Sequence, residues 1–368
     1  MNNTFGNHIT LTLFGESHGS AIGAVLDGMP AGIRIDEELM GHMMNLRKPY
    51  GAISTGRIEK DLPEIISGVK NGVTEGTPVT LLIRNENVRS ADYESISLKP
   101  RPSHADYTAH VRYNGFEDAS GGGHFSGRLT AALTAAGAVC MSMLNEKGIQ
   151  IGTHISELYG IHDRDFDENN LEEEIALINQ KVFPVFDEAA EEKMKEAIKE
   201  AAASQDSLGG ILDTAVTGME AGIGDPWFDS VESMLAHALF SLGGVKGIEF
   251  GSGFDFAKMK GSEANDPFVY ENGKVRTLTN HNGGLNGGIT NGMPIRFRTA
   301  VKPTPSIGIV QKTVDLSSKE NTEIRIQGRH DPAIIHRARI VVDAMSAFVL
   351  CDFLIGRYGN VWSAGGGK

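Results

Sequence analysis

The stretch AIGAVLDGMPAGI, residues 21–33, returns half a chain later as ILDTAVTGMEAGI, residues 211–223. Each copy opens on a strand-like apolar run and then meets Gly-Met and a second glycine, where a turn has to form. Each is followed by an acidic residue and a Met-containing helical pattern. The echo has two readings, a duplicated strand–turn–helix unit or a chance match in a chain rich in glycine and methionine. Duplication puts two related halves around one core. It also accounts for the lack of an obvious linker, so residues 1–368 are read as one domain, with a tail at about 358–368 free to move.

Working outward, apolar recurrence near period 3.6 predicts helices at about 36–47, 128–147, 186–205, 230–243 and 333–357. Strands are predicted at about 9–14, 21–27, 79–84, 211–218, 246–251 and 294–301. The strands come in runs and do not alternate with helices, so the fold class is α+β and not a doubly wound sheet. The Glu/Lys-rich helix near 186–205 reads as a solvated face.

Composition narrows the function. A net charge of −13 leaves no basic surface for nucleic acid or an anionic membrane, so an anionic ligand must be met locally. The N-terminus lacks the basic and apolar regions of a secretory signal, and the apolar run near 340–356 is broken by Asp343 and Asp352, so no segment is expected to span a bilayer. The only two cysteines, Cys140 and Cys351, sit in apolar helical patterns, which fits a reducing cytoplasm and inert packing. No CxxC or HExxH occurs, so no built-in metal site is expected.

The 45 glycines suggest backbone held close to something flat or phosphorylated, yet the standard nucleotide loops are missing. There is no GxxxxGK[ST], and GSGFDF after the strand near 250 lacks the third glycine of a dinucleotide fingerprint. LFGESHGSAIG, residues 13–23, presents His18 between glycines, but Glu16, Ser17 and His18 alternate sides of an extended backbone and make no ready triad. LRKPYGAISTGR carries Arg47, Lys48 and Arg57, a local anion clamp in an acidic chain. KPRPSHADY sets His104 beside Arg101 and Asp106 on a proline-stiffened loop. Ser126 and Arg128 open the Ala-rich helix, where a helix N-terminus receives anions. Taken alone, each of these histidines reads as structural before catalytic, and Asp331 before Pro332 is as readily a helix cap as a functional residue.

Together, LFGESHGSAIGAVLDGMPAG, RPSHADY, GGGHFSGRLTAALTAAGA, GGITNGMPI, VKPTPS and GRHDPAIIHRARIVVDAMSAFVLCD stand in the order and approximate spacing of chorismate synthase. The resemblance covers about residues 6 to 357. It implies a β-α-β sandwich, with helices between two antiparallel sheets, and a homotetramer in the cytoplasm. It also implies 1,4-anti elimination of phosphate from 5-enolpyruvylshikimate 3-phosphate, using reduced FMN without net redox change. NADPH enters only indirectly, to reduce the flavin, either on this chain or through a separate flavin reductase.

By residue, the resemblance makes His18 the histidine at the flavin, His104 the acid for the departing phosphate and Asp331 the aspartate that helps take up the ring proton through the flavin nitrogen. Arg47 and Arg128 match arginines of the substrate site, with Lys48, Arg57 and Arg101 beside them. Cofactor contacts are implied at His124, Phe125, Ser126, Gly243, Gly244, Gly287, Lys302, Pro303, Thr304, Pro305, Ser306 and Arg329. The chain departs from the family's usual pattern at His124, Phe125 and Leu129, which replace an arginine, a serine and a glutamate. Gly243 and Gly244 likewise leave only backbone for their contact. The rival readings are an FMN-dependent oxidoreductase and a non-catalytic phosphometabolite-binding protein on the same scaffold.

Overall fold

A computed structural model describes residues 3–54, 60–85, 98–326 and 331–360. One sheet is built from β1 (Thr4–Phe5), β2 (Thr10–Gly15), β3 (Ala21–Asp27), β4 (Glu64–Ser67) and β5 (Val79–Arg84), in the order β1-β2-β3-β5-β4. The other uses β6 (Gln150–Leu158), β7 (Ile161–His162), β8 (Gly210–Thr217), β9 (Val245–Phe250) and β10 (Ile295–Val301), in the order β9-β10-β8-β6-β7. All neighbouring strands in both sheets are antiparallel. The main helices are α1 (Glu37–Arg47), α2 (Asp106–Arg112), α3 (Thr130–Glu146), α4 (Leu171–Gln180), α5 (Glu188–Ala203), α6 (Val231–Phe240) and α7 (Ile335–Tyr358).

The two long helices fill the space between the sheets. α3 packs on β2, β3 and β5, α7 packs on β6 and β8, and the two helices pack on each other. A helix covered on all sides must be apolar all round, and every residue of α3 from Ala131 to Leu144 is buried. Gly137 sets how near α7 comes, because a Cβ there would lie 2.3 Å from the Cβ of Ala344. The segment Gly127–Glu146 is long and apolar enough to cross a membrane, but 89% of its apolar window is buried inside the protein. One hydrophobic cluster runs from Ile9 and Leu26 through α3 and α7 to Leu212 and Phe297.

The two halves echo each other in structure as in sequence. The order β2-β3-β5-β4 repeats as β6-β8-β10-β9, with strands entering in the same chain order. In the first half the backbone N–H of Ile33 donates to Thr74 Oγ1 at 2.9 Å, and that hydroxyl donates to the carbonyl of Pro30 at 2.6 Å. In the second, Ile223 donates to Thr290 Oγ1 at 2.9 Å, and Thr290 donates to the carbonyl of Glu220 at 2.6 Å. Asp36 then caps α1 through Leu39, as Ser230 caps α6 through Ser233.

Five predicted helices and six predicted strands stand within a few residues of their expected positions. Strands β1, β4, β6 and β7 and helices α2 and α4 were not anticipated. β6 hides its period because residues 151–155 are buried on both faces, polar Thr153 and His154 included. α5 is more than a solvated face, since Ala190, Met194, Ile198 and Ala201 are buried.

Candidate active site

The loop 120–123 needs three consecutive glycines because all three take left-handed φ, 61° at Gly121, 89° at Gly122 and 52° at Gly123. That path brings it against both candidate histidines. A Cβ on Gly121 would lie 2.0 Å from Cε1 of His18, and one on Gly122 would lie 3.4 Å from Cε1 of His104. The Ser17 hydroxyl is 2.8 Å from His18 Nδ1 and 3.3 Å from the carbonyls of Ser120 and Gly121. The Ser17 N–H donates to the Gly123 carbonyl at 3.1 Å. His124 fastens the same turn from the other side, its Nδ1 lying 2.8 Å from the Gly15 carbonyl and therefore carrying the proton.

His104 sits in a compact charged group. Its Nδ1 is 2.6 Å from Asp106 Oδ1, while Arg101 donates from Nη2 to that oxygen at 2.8 Å and from Nε to Oδ2 at 2.8 Å. Burial alone would raise the Asp106 carboxyl, but hydrogen bonds and charge from Arg101 and His104 overcome it and hold the group well below the usual carboxylate range. The segment 302–306 is tied to this loop at both ends. The Lys302 ammonium donates to the Ser103 carbonyl at 2.7 Å, and Arg101 Nη1 reaches Ser306 Oγ at 3.3 Å. Between them, the Thr304 carbonyl takes the Ser207 hydroxyl at 2.7 Å. Burial, then the charge of Lys246, lowers the Lys302 ammonium from its ordinary value.

A cavity of about 270 Å³ is lined by neither His18 nor His104 and reaches the 302–306 segment only through Val301, which precedes Lys302 in the chain. Its apolar wall includes Leu242, Val245, Val301, Ile334 and Val341, and Ser126, Arg128, Gly243, Asp331 and Arg337 supply its polar side. Asp331 does not cap α7, whose N-cap is Ile334 with no side-chain bond. It instead pairs with Arg337 Nη1 at 2.5 Å, and Arg337 Nε holds the carbonyl of Arg47 at 2.8 Å. Asn85 joins the cavity to the histidine turn by accepting Arg128 Nε at 2.7 Å while donating to the carbonyls of Glu16 and Gly19.

The clamp read from Arg47, Lys48 and Arg57 is differently built. Arg47 lines the cavity, but its guanidinium is committed internally, to Thr130 Oγ1 at 2.9 Å, Asp61 Oδ2 at 2.9 Å and the carbonyls of Gly127 and Arg128. Arg128 meets the other oxygen of Asp61 at 2.5 Å, so one buried carboxylate spans both arginines. Lys48 turns back onto Asn45 at 2.9 Å. Phe125 is 44% exposed and tilts against Tyr113, and Gly287 lies at the exposed turn of the hairpin 285–290. Gly244, at φ 101°, accepts the Lys302 N–H through its carbonyl at 2.8 Å. Arg57 and Arg329 lie outside the described residues. Sequence reading missed Asp61 and Asn85, which act across long chain separations and belong to no local motif.

A family model described as chorismate synthase matches residues 9–355. The chain belongs to the chorismate synthase family. A chorismate synthase from Thermococcus gammatolerans is 46% identical over 352 residues, covering 96% of this chain and 97% of that protein. One from Lachnoclostridium phytofermentans is 45% identical over 354 residues, covering 96% and 95%. A solved structure, "Crystal Structure of Chorismate Synthase", superposes with a TM-score of 0.76 at 28% identity, covering 96% of this chain and 94% of that one. The chain is therefore a carbon–oxygen lyase of the shikimate pathway, which turns 5-enolpyruvylshikimate 3-phosphate into chorismate with loss of phosphate. The family implies a flavin. The residues fit one, since apolar side chains, arginines and a serine line a single cavity, and Thr304 Oγ1, in the segment that follows Val301 of its lining, is buried without a partner among the described residues.

Proposed function

We propose that the elimination is carried out by His18, His104 and Asp331 around reduced FMN held between the apolar wall, Ser126, Gly243 and the 302–306 segment. The observation that carries this reading is the glycine loop, whose successive residues Gly121 and Gly122 abut His18 and His104. Phosphate leaving an unactivated ring carbon takes an electron pair with it, so its developing charge has to be met by a proton and by fixed positive groups. His104 gives its Nε2 proton to the departing oxygen as the carbon–oxygen bond breaks. Reduced flavin, when bound, lends electron density to the ring in that step. The Asp331 carboxylate is the final holder of the ring proton, and Arg337 at 2.5 Å keeps it oriented. His18, fixed by Ser17 and the loop 120–123, holds a proton on the flavin side. Arg128, positioned by Asp61 and Asn85, faces the substrate anion.

The protein works as a cytoplasmic homotetramer, with NADPH serving only to reduce the flavin, on this chain or through a separate reductase. Its residues fold as one domain. Anaerobic assay with photoreduced FMN, following chorismate absorbance, tests the reading. His18→Ala and His104→Ala are expected to keep flavin binding and each lose at least ~100-fold in turnover, the low end of what a positioned acid contributes. Wild-type turnover in either variant removes that residue from its role. Stoichiometric flavin oxidation during turnover would instead point to an oxidoreductase.

A further inference from the structure

Arg101 and Asp106 stand beside His104 in a geometry that the proposed acid role does not by itself require. Among the described residues, the Asp106 carboxylate meets four donors. His104 Nδ1 and Arg101 Nη2 meet Oδ1 at 2.6 and 2.8 Å, and the Arg101 Nε and backbone N–H meet Oδ2 at 2.8 and 2.9 Å. An ionised carboxylate only accepts, so the short contact to His104 places the proton on Nδ1. The contact of Arg101 Nη2 with Nδ1 at 3.1 Å is then one of proximity, since a protonated ring nitrogen has no lone pair for it. The opposite edge of the imidazole is turned to the glycine loop, with Nε2 lying 3.6 Å from where a Gly122 Cβ would sit.

The backbone of this loop is held as firmly as the ring. Ser103 takes φ 59°, a conformation that costs a non-glycine residue free energy, and its carbonyl is gripped by Lys302 at 2.7 Å. Arg101 uses its fork on Asp106 and its remaining arm on Ser306 at 3.3 Å. A guanidinium committed in this way is a brace, because the two parallel donors that would clasp a phosphate already clasp a carboxylate.

We propose that Asp106 is a positioning residue for the elimination, which holds the Nδ1 proton of the His104 imidazolium so that Nε2 is the nitrogen that gives its proton to the departing phosphate, leaving the ring as the Nδ1–H tautomer, and that Arg101 braces Asp106 instead of binding substrate phosphate. This rests on the reading of His104 as the acid. The depressed proton affinity of Asp106 keeps it an acceptor throughout the working pH range, so its hold on the Nδ1 proton does not titrate away.

The test uses the full chain with photoreduced FMN under anaerobic conditions and three variants, Asp106→Asn, Arg101→Gln and His104→Gln. Asp106→Asn is expected to lower kcat about 100-fold, while the KM for 5-enolpyruvylshikimate 3-phosphate and the affinity for FMN stay within about threefold, as when an orienting partner is lost but contacts are kept. Nitrogen NMR of histidine-labelled protein gives a readout that general structural damage would not mimic. In its neutral form, His104 should be protonated on Nδ1 in the wild type and be a mixture of tautomers in Asp106→Asn. Arg101→Gln should lower kcat with KM little changed, and combining it with Asp106→Asn should add little further loss, because both act through one ring.

Wild-type kcat in Asp106→Asn, or an unchanged His104 tautomer in that variant, overturns the proposal. So does a tenfold rise in KM with unchanged kcat in Arg101→Gln, which would make that side chain a substrate clamp. Full activity in His104→Gln would sink the acid assignment itself, whereas loss there with wild-type behaviour in Asp106→Asn sinks only the positioning role.

Discussion

Gly137 of α3 and Ala344 of α7 meet so closely that a Cβ on the glycine would stand 2.3 Å from the alanine Cβ and 2.5 Å from its Cα. No rotamer change relieves such a contact, because the opposing atoms are backbone and Cβ. Both helices are pinned by sheets on their outer sides, so separating them opens the core along its whole length.

Gly137→Ala therefore sets a helix-propensity gain of at most ~1 kcal/mol against overpacking of ~1–3 kcal/mol or more, and the strain wins. The expected outcome is a net loss of about 2 kcal/mol in chemical denaturation. Gly41→Ala in α1 supplies the control. Nothing lies within 4 Å of a Cβ at that exposed helical site, so the same change there should be neutral or slightly stabilising. Equal effects at the two sites would show that the helix–helix contact is not limiting.

Gly121→Ala is expected to separate chemistry from folding. The new methyl group would sit 2.0 Å from His18 Cε1 and 2.7 Å from Ser17 Oγ, at φ 61°, so it displaces the imidazole while leaving the hydrophobic core untouched. Turnover should fall at least ~100-fold, the worth of a positioned acid–base group, with less than ~2 kcal/mol lost in stability. Steady-state kinetics and a denaturation curve on the same preparation check both halves. Wild-type turnover would mean that His18 need not occupy this position.

The duplicated unit shows where sequence stops being legible. AIGAVLD and ILDTAVT announce their strands because residue choice and period are local properties, and the turns follow from the glycines that come after them. The threonines that complete those turns do not announce themselves. Thr74 lies 41 residues from the Ile33 N–H it satisfies and Thr290 lies 67 from Ile223, so the matching bonds sit at unequal spacings. The site divides in the same way. His18 and His104 stand in glycine- and proline-bounded motifs that mark them out, whereas Asp61 reaches Arg128 across 67 residues and Asn85 across 43, and neither has a local pattern to betray it. Arg47 misled for the reverse reason. Its basic neighbours suggest an open clamp, and only the fold reveals that Asp61 and two carbonyls had already taken its donors.

Two buried histidines should give stability pH dependences of opposite sign in adjoining windows, one below and one above the ordinary histidine value. Burial, helped by the charge of Arg337, lowers the His336 imidazole to about 3, so it stays neutral in the folded protein while the unfolded chain protonates near 6.5. The unfolded state then binds more protons between those values, and stability falls as pH drops through that window by about 1.4 kcal/mol per unit from this group alone. For His154, burial acts to lower the imidazole, but hydrogen bonds and charge from Asp163 and Asp213 prevail and raise it. Asp163 lies at 3.0 Å from Nδ1 and Asp213 at 3.6 Å from Nε2. Its folded form binds the proton more tightly, so its contribution is present below the unfolded value and is lost as pH rises through the raised one. His336→Phe should therefore flatten the decline in unfolding free energy between pH 6.5 and 4, measured against wild type in urea at each pH, whereas His154→Gln should lower stability by a nearly constant amount across that range, an effect that fades as pH rises above 6.5. A His336→Phe curve parallel to wild type across that range would mean that His336 takes up a proton inside the folded protein.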